Sequence, residues 1–188
     1  MTEWNRTGEI DPCRWTCGYC GSQVGGNIGY NKLFPDRDCI YICPSCGNPT
    51  AFVENGLGRL LQVPGSMYGS DVSCLPQSVS KLYREVRECF KGGAFTASVL
   101  AARKLLMHIA VDCGADEGKS FIQYVEFLSV SGYIPPNGKG WVDEIRKRSN
   151  EANHEIVIMD SDDARRLIDF CEMLLRFVYE FPAMVEKK

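Results

Sequence analysis

No segment of the chain stays apolar for the roughly 18 to 20 residues that a membrane-crossing helix needs, so no membrane partner is expected. The opening MTEWNRTGEIDP has neither a basic n-region nor an apolar h-region, which argues against a secretory signal. The Asn5-Arg6-Thr7 match to a glycosylation sequon then carries no meaning. Basic excess is missing too: 21 Lys and Arg stand against 24 Asp and Glu, a net charge of −3. Proteins that coat nucleic acid are usually basic, so any contact of that kind has to come from a local patch. There is no GxSxG, HExxH or P-loop pattern, which sets aside the hydrolases and nucleotide-binding proteins that those motifs mark. Internal helical repeats and low-complexity tracts are also lacking. What remains is an ordinary globular balance of 45% hydrophobic and 24% charged residues, expected in the cytoplasm.

Against these absences stand ten cysteines. Cys74, Cys89, Cys113 and Cys171 are scattered singly through apolar stretches and read as buried small hydrophobes. The other six lie between residues 13 and 46. In a chain without an export signal, CxxC spacing points to metal ligation rather than disulfides. Cys17-Gly18-Tyr19-Cys20-Gly21 and Cys43-Pro44-Ser45-Cys46-Gly47 are two copies of CxxCG, 22 residues apart. Each two-residue spacer lets one tight turn present two sulfurs, and the following glycine relieves the turn. Four thiolates suit tetrahedral zinc and leave no position for water, so Cys17, Cys20, Cys43 and Cys46 are expected to hold one structural Zn2+ per chain. Iron–sulfur ligation and a redox dithiol are the competing readings of the motif.

Both halves read C-x3-C-x2-C through Cys13 and Cys39. These two thiols either pack against each other across the ribbon or join the metal, and the sequence leaves that open. Ile40-Tyr41-Ile42 and Ala51-Phe52-Val53 read as short strands. Between the CxxC pairs the charged residues are Lys32, Asp36, Arg37 and Asp38, which form no basic patch. Tyr30 and Phe34 suit a small core, with stacking on bases as the alternative.

Residues 1–56 therefore form a zinc ribbon, and 57–75 a connection rich in glycine that packs on one of its neighbours. Residues 76–188 read as an all-α antiparallel bundle of five helices. The first begins at Pro76, with Val79, Leu82, Tyr83, Val86 and Phe90 on one face, and Gly92-Gly93 ends it. The second spans about 95–113 and the third about 120–130. A fourth starts near Trp141 and reaches about His154. Ser161 caps the last, Asp162 and Asp163 favour its first turn, and Pro182 ends it.

The polar run from Ile145 to His154 holds the candidate chemistry. On a helix Asn150 and His154 lie one turn apart, Lys147 shares their face, Arg146 lies one turn before Asn150, and Arg148 points away. A cation, a carboxamide and an imidazole in one stripe can hold a phosphate and move a proton. An exposed basic helix end with a histidine near its C-terminus accounts for the same residues without any chemistry. On the second helix, Arg103 either pairs with an acid or lines the same groove. His108 reads as a partly buried, satisfied histidine.

The stretch from Leu75 to Pro182 resembles the HEPN-like family known as domain of unknown function 4145. The resemblance rests on Leu75-Pro76, Tyr83-Arg84-Glu85, the run Ala101 to Leu106, and Ile145-Arg146 followed by Asn150 and His154. Ala164 and the run Leu174 to Glu180 complete it. Many HEPN proteins are metal-independent endoribonucleases with an R-x(4–6)-H motif, active as dimers whose motifs meet at the interface, and some branches are non-catalytic. The resemblance implies Arg146, Asn150 and His154 as catalytic residues. His154 would move a proton at the ribose 2′-hydroxyl or the leaving oxygen, and Arg146 or Arg148 would stabilise developing charge. Arg103, Lys147 and Arg148 would bind substrate. Arg148 fits the motif spacing and Arg146 the family's own pattern. Ser149 stands where the family often has glycine, and Ile156 where the nucleotidylated toxins have tyrosine.

Two functions follow as expectations. One is an RNA-cutting HEPN-type protein of a bacterial defence or toxin system, homodimeric through its helical domain. The other is a non-catalytic dimerising module that binds protein or nucleic acid beside a restriction or toxin partner.

Overall fold

The computed structural model describes residues 6–31, 37–54, 58, 60–135, 140 and 158–186. The chain divides into two compact units, Met1–Met67 with Lys91–Gly93, and Tyr68–Phe90 with Ala94–Lys188.

The first unit is an antiparallel five-stranded sheet in sequential order: β1 (Gly8–Thr16), β2 (Gln23–Asn31), β3 (Cys39–Ile42), β4 (Pro49–Glu54) and β5 (Leu60–Val63). The two strands expected from Ile40–Ile42 and Ala51–Val53 are β3 and β4. Three more flank them, and β5 falls inside the segment 57–75 read as a connection. One sheet face buries Trp15 and Tyr41, with Phe52 packed against them. Their ring centroids lie 5.3 to 6.4 Å apart in tilted and edge-on arrangements that suit the ring quadrupoles. The polar ends are satisfied: Trp15 Nε1 donates to Thr50 Oγ1 at 3.2 Å, and the Tyr41 hydroxyl donates to the Asp11 carbonyl at 2.6 Å. Tyr30 pairs instead with Ile40, and that row continues through Ala51 to Val63, beside the pair Val53 and Leu61. Ile40, Val53, Leu61 and Val63 are exposed. An antiparallel sheet usually turns polar residues to water, so this face of β3–β5 is unusually apolar.

The second unit is helical: α1 (Gln77–Lys91), α2 (Phe95–Asp112), α3 (Phe121–Val130) and α4 (Ser161–Leu175). The region expected to form a helix from Trp141 to His154 lies outside the described residues. The core takes the faces that the periodicity marks, with Val79, Tyr83, Val86, Leu105, Leu106, Ile109, Leu128, Phe170 and Leu174 among its members. Ser98, buried in α2, donates to the Val86 carbonyl at 2.8 Å, so the small polar side chain carries no desolvation penalty. Cys171 is buried as expected and Cys89 and Cys113 are half-buried, but Cys74 is exposed. Its backbone turns left-handed, φ 60°, just before Leu75-Pro76, and this carries the thiol to the surface.

Two helix ends depart from expectation. Asp160, not Ser161, caps α4: its carboxylate accepts from the Asp162 and Asp163 amides, and Asp163 reaches back to the Asp160 amide. A carboxylate can take both amides at once, which a single hydroxyl does less well. Pro182 does not end the helix. Arg176–Glu180 forms a π turn and the chain continues helically as α5 (Phe181–Glu186). Pro182 sits in the first turn after the shifted ladder, where a missing amide costs little.

Residues 68–73 are fastened to the helices by polar groups. Buried Arg87 donates to the carbonyls of Tyr68 (2.9 Å) and Gly69 (2.7 Å) and pairs with Asp71. Glu172 accepts from the Ser70 amide, Glu180 from the Ser73 amide, and Arg176 bridges both glutamates. Gly69 is the residue that fits, since its φ is +74° and a side chain would meet Ile168 and Tyr83. Replacing Arg87 by alanine orphans two carbonyls and is expected to cost about 3 kcal/mol in urea unfolding. Asp71→Asn, with its side chain 97% exposed, should stay within about 0.5 kcal/mol of the parent.

Candidate metal centre

The two CxxCG segments fold into matching turns. Gly21 donates to the Cys17 carbonyl at 2.9 Å and Gly47 to the Cys43 carbonyl at 2.8 Å. Each turn is closed by a second bond, from Cys17 to Ser22 and from Cys43 to Asn48. Both glycines have positive φ, +70° and +72°, a conformation that strains any residue with a Cβ. The CxxCG pattern is thus a backbone requirement as much as a ligand requirement.

The turns bring four sulfurs together, all within 4.8 Å of one another. Cys17 Sγ lies 3.7 Å from Cys46 Sγ, and Cys20 Sγ lies 3.9 Å from Cys43 Sγ. A tetrahedral thiolate site with metal–sulfur bonds of about 2.3 Å has sulfur–sulfur edges of about 3.8 Å. Two of the six edges match that spacing and all lie within 4.8 Å, so the four cysteines could hold a single metal ion. Further donors stand ready for sulfur charge: the Tyr19 amide points to Cys17 Sγ at 3.4 Å and the Asn48 side chain to Cys46 Sγ at 3.5 Å. Cys17 and Cys43 are buried, Cys46 is half-buried and Cys20 is exposed. Their protonation follows. The Ser22 hydroxyl and amide hold the Cys20 thiol down to about 6, whereas burial pushes the Cys43 thiol up to about 12.

Cys13 and Cys39 lie outside this quartet. They do not face one another across paired strands, because β2 runs between: Cys13 pairs with Gly26 and Cys39 with Asn31. Both are half-buried against the Trp15–Tyr41 cluster, and burial raises the Cys39 thiol.

In the helical unit Arg103 is the one candidate substrate-binding residue within the described region. Its guanidinium lies 4.5 Å from the Phe121 ring centroid, is partly desolvated, and among the described residues forms no ion pair. His108 Nε2 lies 3.7 Å from Asp112 Oδ2, the oxygen to which the Tyr179 hydroxyl donates at 2.6 Å. The Asp112–Tyr179 link spans 67 residues and leaves no local trace in the sequence. Arg146, Lys147, Arg148, Asn150 and His154 lie outside the described residues. Among the described residues no helix is long and apolar enough to cross a membrane.

Residues 84–188 match a family model described as Domain of unknown function (DUF4145). No curated protein and no solved structure matches the chain.

Because the ligands must be deprotonated, bound metal should be displaced as pH falls into the range where Cys20 regains its proton and protons outcompete the ion for the buried thiolates. A chromogenic chelator should report release of one ion per chain on acidification. Cys43→Ser should abolish metal in elemental analysis while far-ultraviolet dichroism of the helices persists.

Proposed function

We propose, for a chain that belongs to the DUF4145 family, that the helical unit is a HEPN-type metal-independent endoribonuclease and that the ribbon carries a structural zinc ion. Zinc is the natural occupant of four converging thiolates. It needs no redox partner, accepts tetrahedral sulfur without strain, and lets a module with a small core hold its shape. A closed four-thiolate site offers no position for substrate, so chemistry belongs to the helices.

The observation that carries the RNA reading is Arg103: a guanidinium partly withdrawn from water, backed by an aromatic face, with no ion pair among the described residues. An anion suits such a group, and a phosphodiester has the oxygen geometry to meet a guanidinium. The sequence supplies the rest in Arg146, Asn150 and His154. In the proposed reaction, base catalysis removes the proton from the ribose 2′-hydroxyl, that oxygen attacks phosphorus, and the 5′-oxygen leaves with a proton. The products are a 2′,3′-cyclic phosphate and a 5′-hydroxyl. His154 moves a proton at one of these two oxygens, Asn150 orients the imidazole or the phosphate, and Arg146, with Lys147 or Arg148, offsets developing charge. Two copies bring two motifs to one interface, which fits a bacterial defence or toxin setting.

A second reading is supported by the apolar outer face of β3–β5: a non-catalytic module that docks on a restriction or toxin partner through the ribbon.

RNA is incubated with zinc-loaded protein and EDTA, with zinc retention checked by elemental analysis. Cyclic-phosphate ends are expected from the wild type. His154→Ala and Arg146→Ala should each lose at least about 100-fold in rate, the scale of a missing acid–base or charge-stabilising group. Arg103→Met should weaken kcat/KM by about 10-fold. No cleavage across a broad RNA pool by folded, zinc-loaded protein would reject the nuclease and leave the docking module.

A further inference from the structure

Through α4 the last helix turns Ala164, Leu167, Ile168, Cys171, Leu174 and Leu175 into the core. From the π turn onward a second apolar row faces water on Phe177, Phe181, Met184 and Val185, which are between 42% and 73% exposed. Together they present on the order of 400 Å² of apolar surface, the size of the largest patch on a typical monomer and a frequent mark of an interaction site. At the start of the row lies an open groove of about 400 Å³, walled by Asp169, Glu172, Met173, Arg176, Phe177 and Phe181. The Phe177 and Phe181 rings stand edge to face there, 5.4 Å apart at 88°, so one apolar wall is already formed.

The polar groups beside this row carry an excess of one sign. From Asp169 to Glu186 the chain holds Asp169, Glu172, Glu180 and Glu186 against the single cation Arg176. Arg176 is shared by Glu172 and Glu180. Burial works against the Glu172 carboxylate, but the Ser70 amide and Arg176 hold its carboxyl below the usual range, and the Ser73 amide leads the same effect at Glu180. One turn before Asp169, Arg165 pairs with Asp162 at 3.8 Å and lies over the Tyr68 and Phe90 rings. Negative charge therefore remains beside the apolar row. It repels phosphate, which disfavours RNA and an anionic bilayer as occupants. It also disfavours a second copy, because pairing the row with itself about the midpoint of Phe177 and Phe181 sets Glu172 of one copy opposite Glu186 of the other.

We propose that this face docks a basic amphipathic helix of a second protein. Its apolar stripe, at steps of three and four residues, lies along Phe177, Phe181, Met184 and Val185, and one bulky anchor fills the groove. Lys or Arg side chains flank the stripe and meet Asp169, Glu172 and Glu186. A helix is the matching shape because the face is itself a helical ridge with a groove beside it, and ridges pack into grooves. An extended peptide finds no strand edge on α4 or α5 to pair with. The contact buries on the order of 1,000 Å² over both partners, the low end of specific interfaces, so the complex is transient. This docking face goes beyond the nuclease reading and uses none of its residues.

Fluorescence anisotropy with the full-length, metal-loaded protein tests it. The probe is a labelled peptide of about five helical turns, with leucine along one face and lysine elsewhere. One control replaces every lysine by glutamate, and another scrambles the order at the same composition. The basic amphipathic peptide is expected to bind with a Kd of about 10 μM, and both controls at least about 10-fold more weakly. Phe181→Ser should weaken the basic peptide by at least about 10-fold at unchanged helical dichroism. Asp169→Asn with Glu186→Lys should weaken it about 5-fold and flatten its dependence on salt. Equal affinity for all three peptides overturns the proposal, as does basic-peptide binding that survives Phe181→Ser and Met184→Ser together. Sedimentation of the same proteins checks the other occupant: a wild-type dimer that Phe181→Ser makes monomeric gives the face to a second copy and overturns the proposal. Binding to phosphatidylglycerol vesicles that Phe181→Ser abolishes gives it to a membrane, with the same consequence.

Discussion

Everything in the ribbon converges on four sulfur atoms. The sheet around them has one small aromatic cluster, and three rings with a few aliphatic neighbours cannot offset the entropy of ordering a chain of this length. Two identical turns, each forced into shape by a glycine with positive φ, place two sulfurs on either side of a point where a tetrahedral ion fits. Without a cation the same arrangement would press thiols of opposed protonation preference into contact, Cys20 readily ionised and Cys43 resisting it. A metal ion removes that conflict by taking all four as thiolates. A cation held there would tie the two turns, and the strands that carry them, to one point.

The helical unit meets the opposite problem. Its core is ample, yet it must anchor an irregular segment, residues 68–73, whose backbone amides and carbonyls cannot be buried unpaired. It does so with side chains of both signs. Arg87 takes two carbonyls, Glu172 and Glu180 take two amides, and Arg176 ties the two glutamates to each other. Burial alone would lift the Glu172 carboxyl, but the Ser70 amide and Arg176 hold it below the usual carboxylate range. The polar network is thus a substitute for secondary structure.

What the sequence made legible follows physical range. Helix faces repeat every three or four residues, so Val79, Val86, Leu106 and Leu174 declared themselves. The metal ligands did so through spacing and through the glycine that follows each pair. Strands β1 and β2 were hidden because Pro12 and the run Gly25-Gly26 look like breakers, and β5 because its four residues sit among glycines. Asp160 and Ser161 are both good caps, and only the two-amide geometry separates them. Tyr179 with Asp112, and Arg87 with Tyr68 and Gly69, are tertiary pairs for which no periodicity exists. Arg103 was recognisable as an odd cation on an apolar helix, but its aromatic backing by Phe121 was not. The polar run from Arg146 to His154 lies outside the described residues, and only the spacing of its residues was legible.

At Arg176–Glu180 the last helix makes one π turn before it continues. A helix of uniform pitch commits every residue along it to one set of faces, so a change outside propagates inward as a change of phase. One extra residue in a single turn uncouples the two halves. The portion before it answers to the interior, and the portion after it answers to whatever lies outside. Related chains can therefore rewrite the last turns and alter what they recognise while the hydrophobic interior stays as it was. In that sense the π turn separates what holds the domain together from what it can present outside.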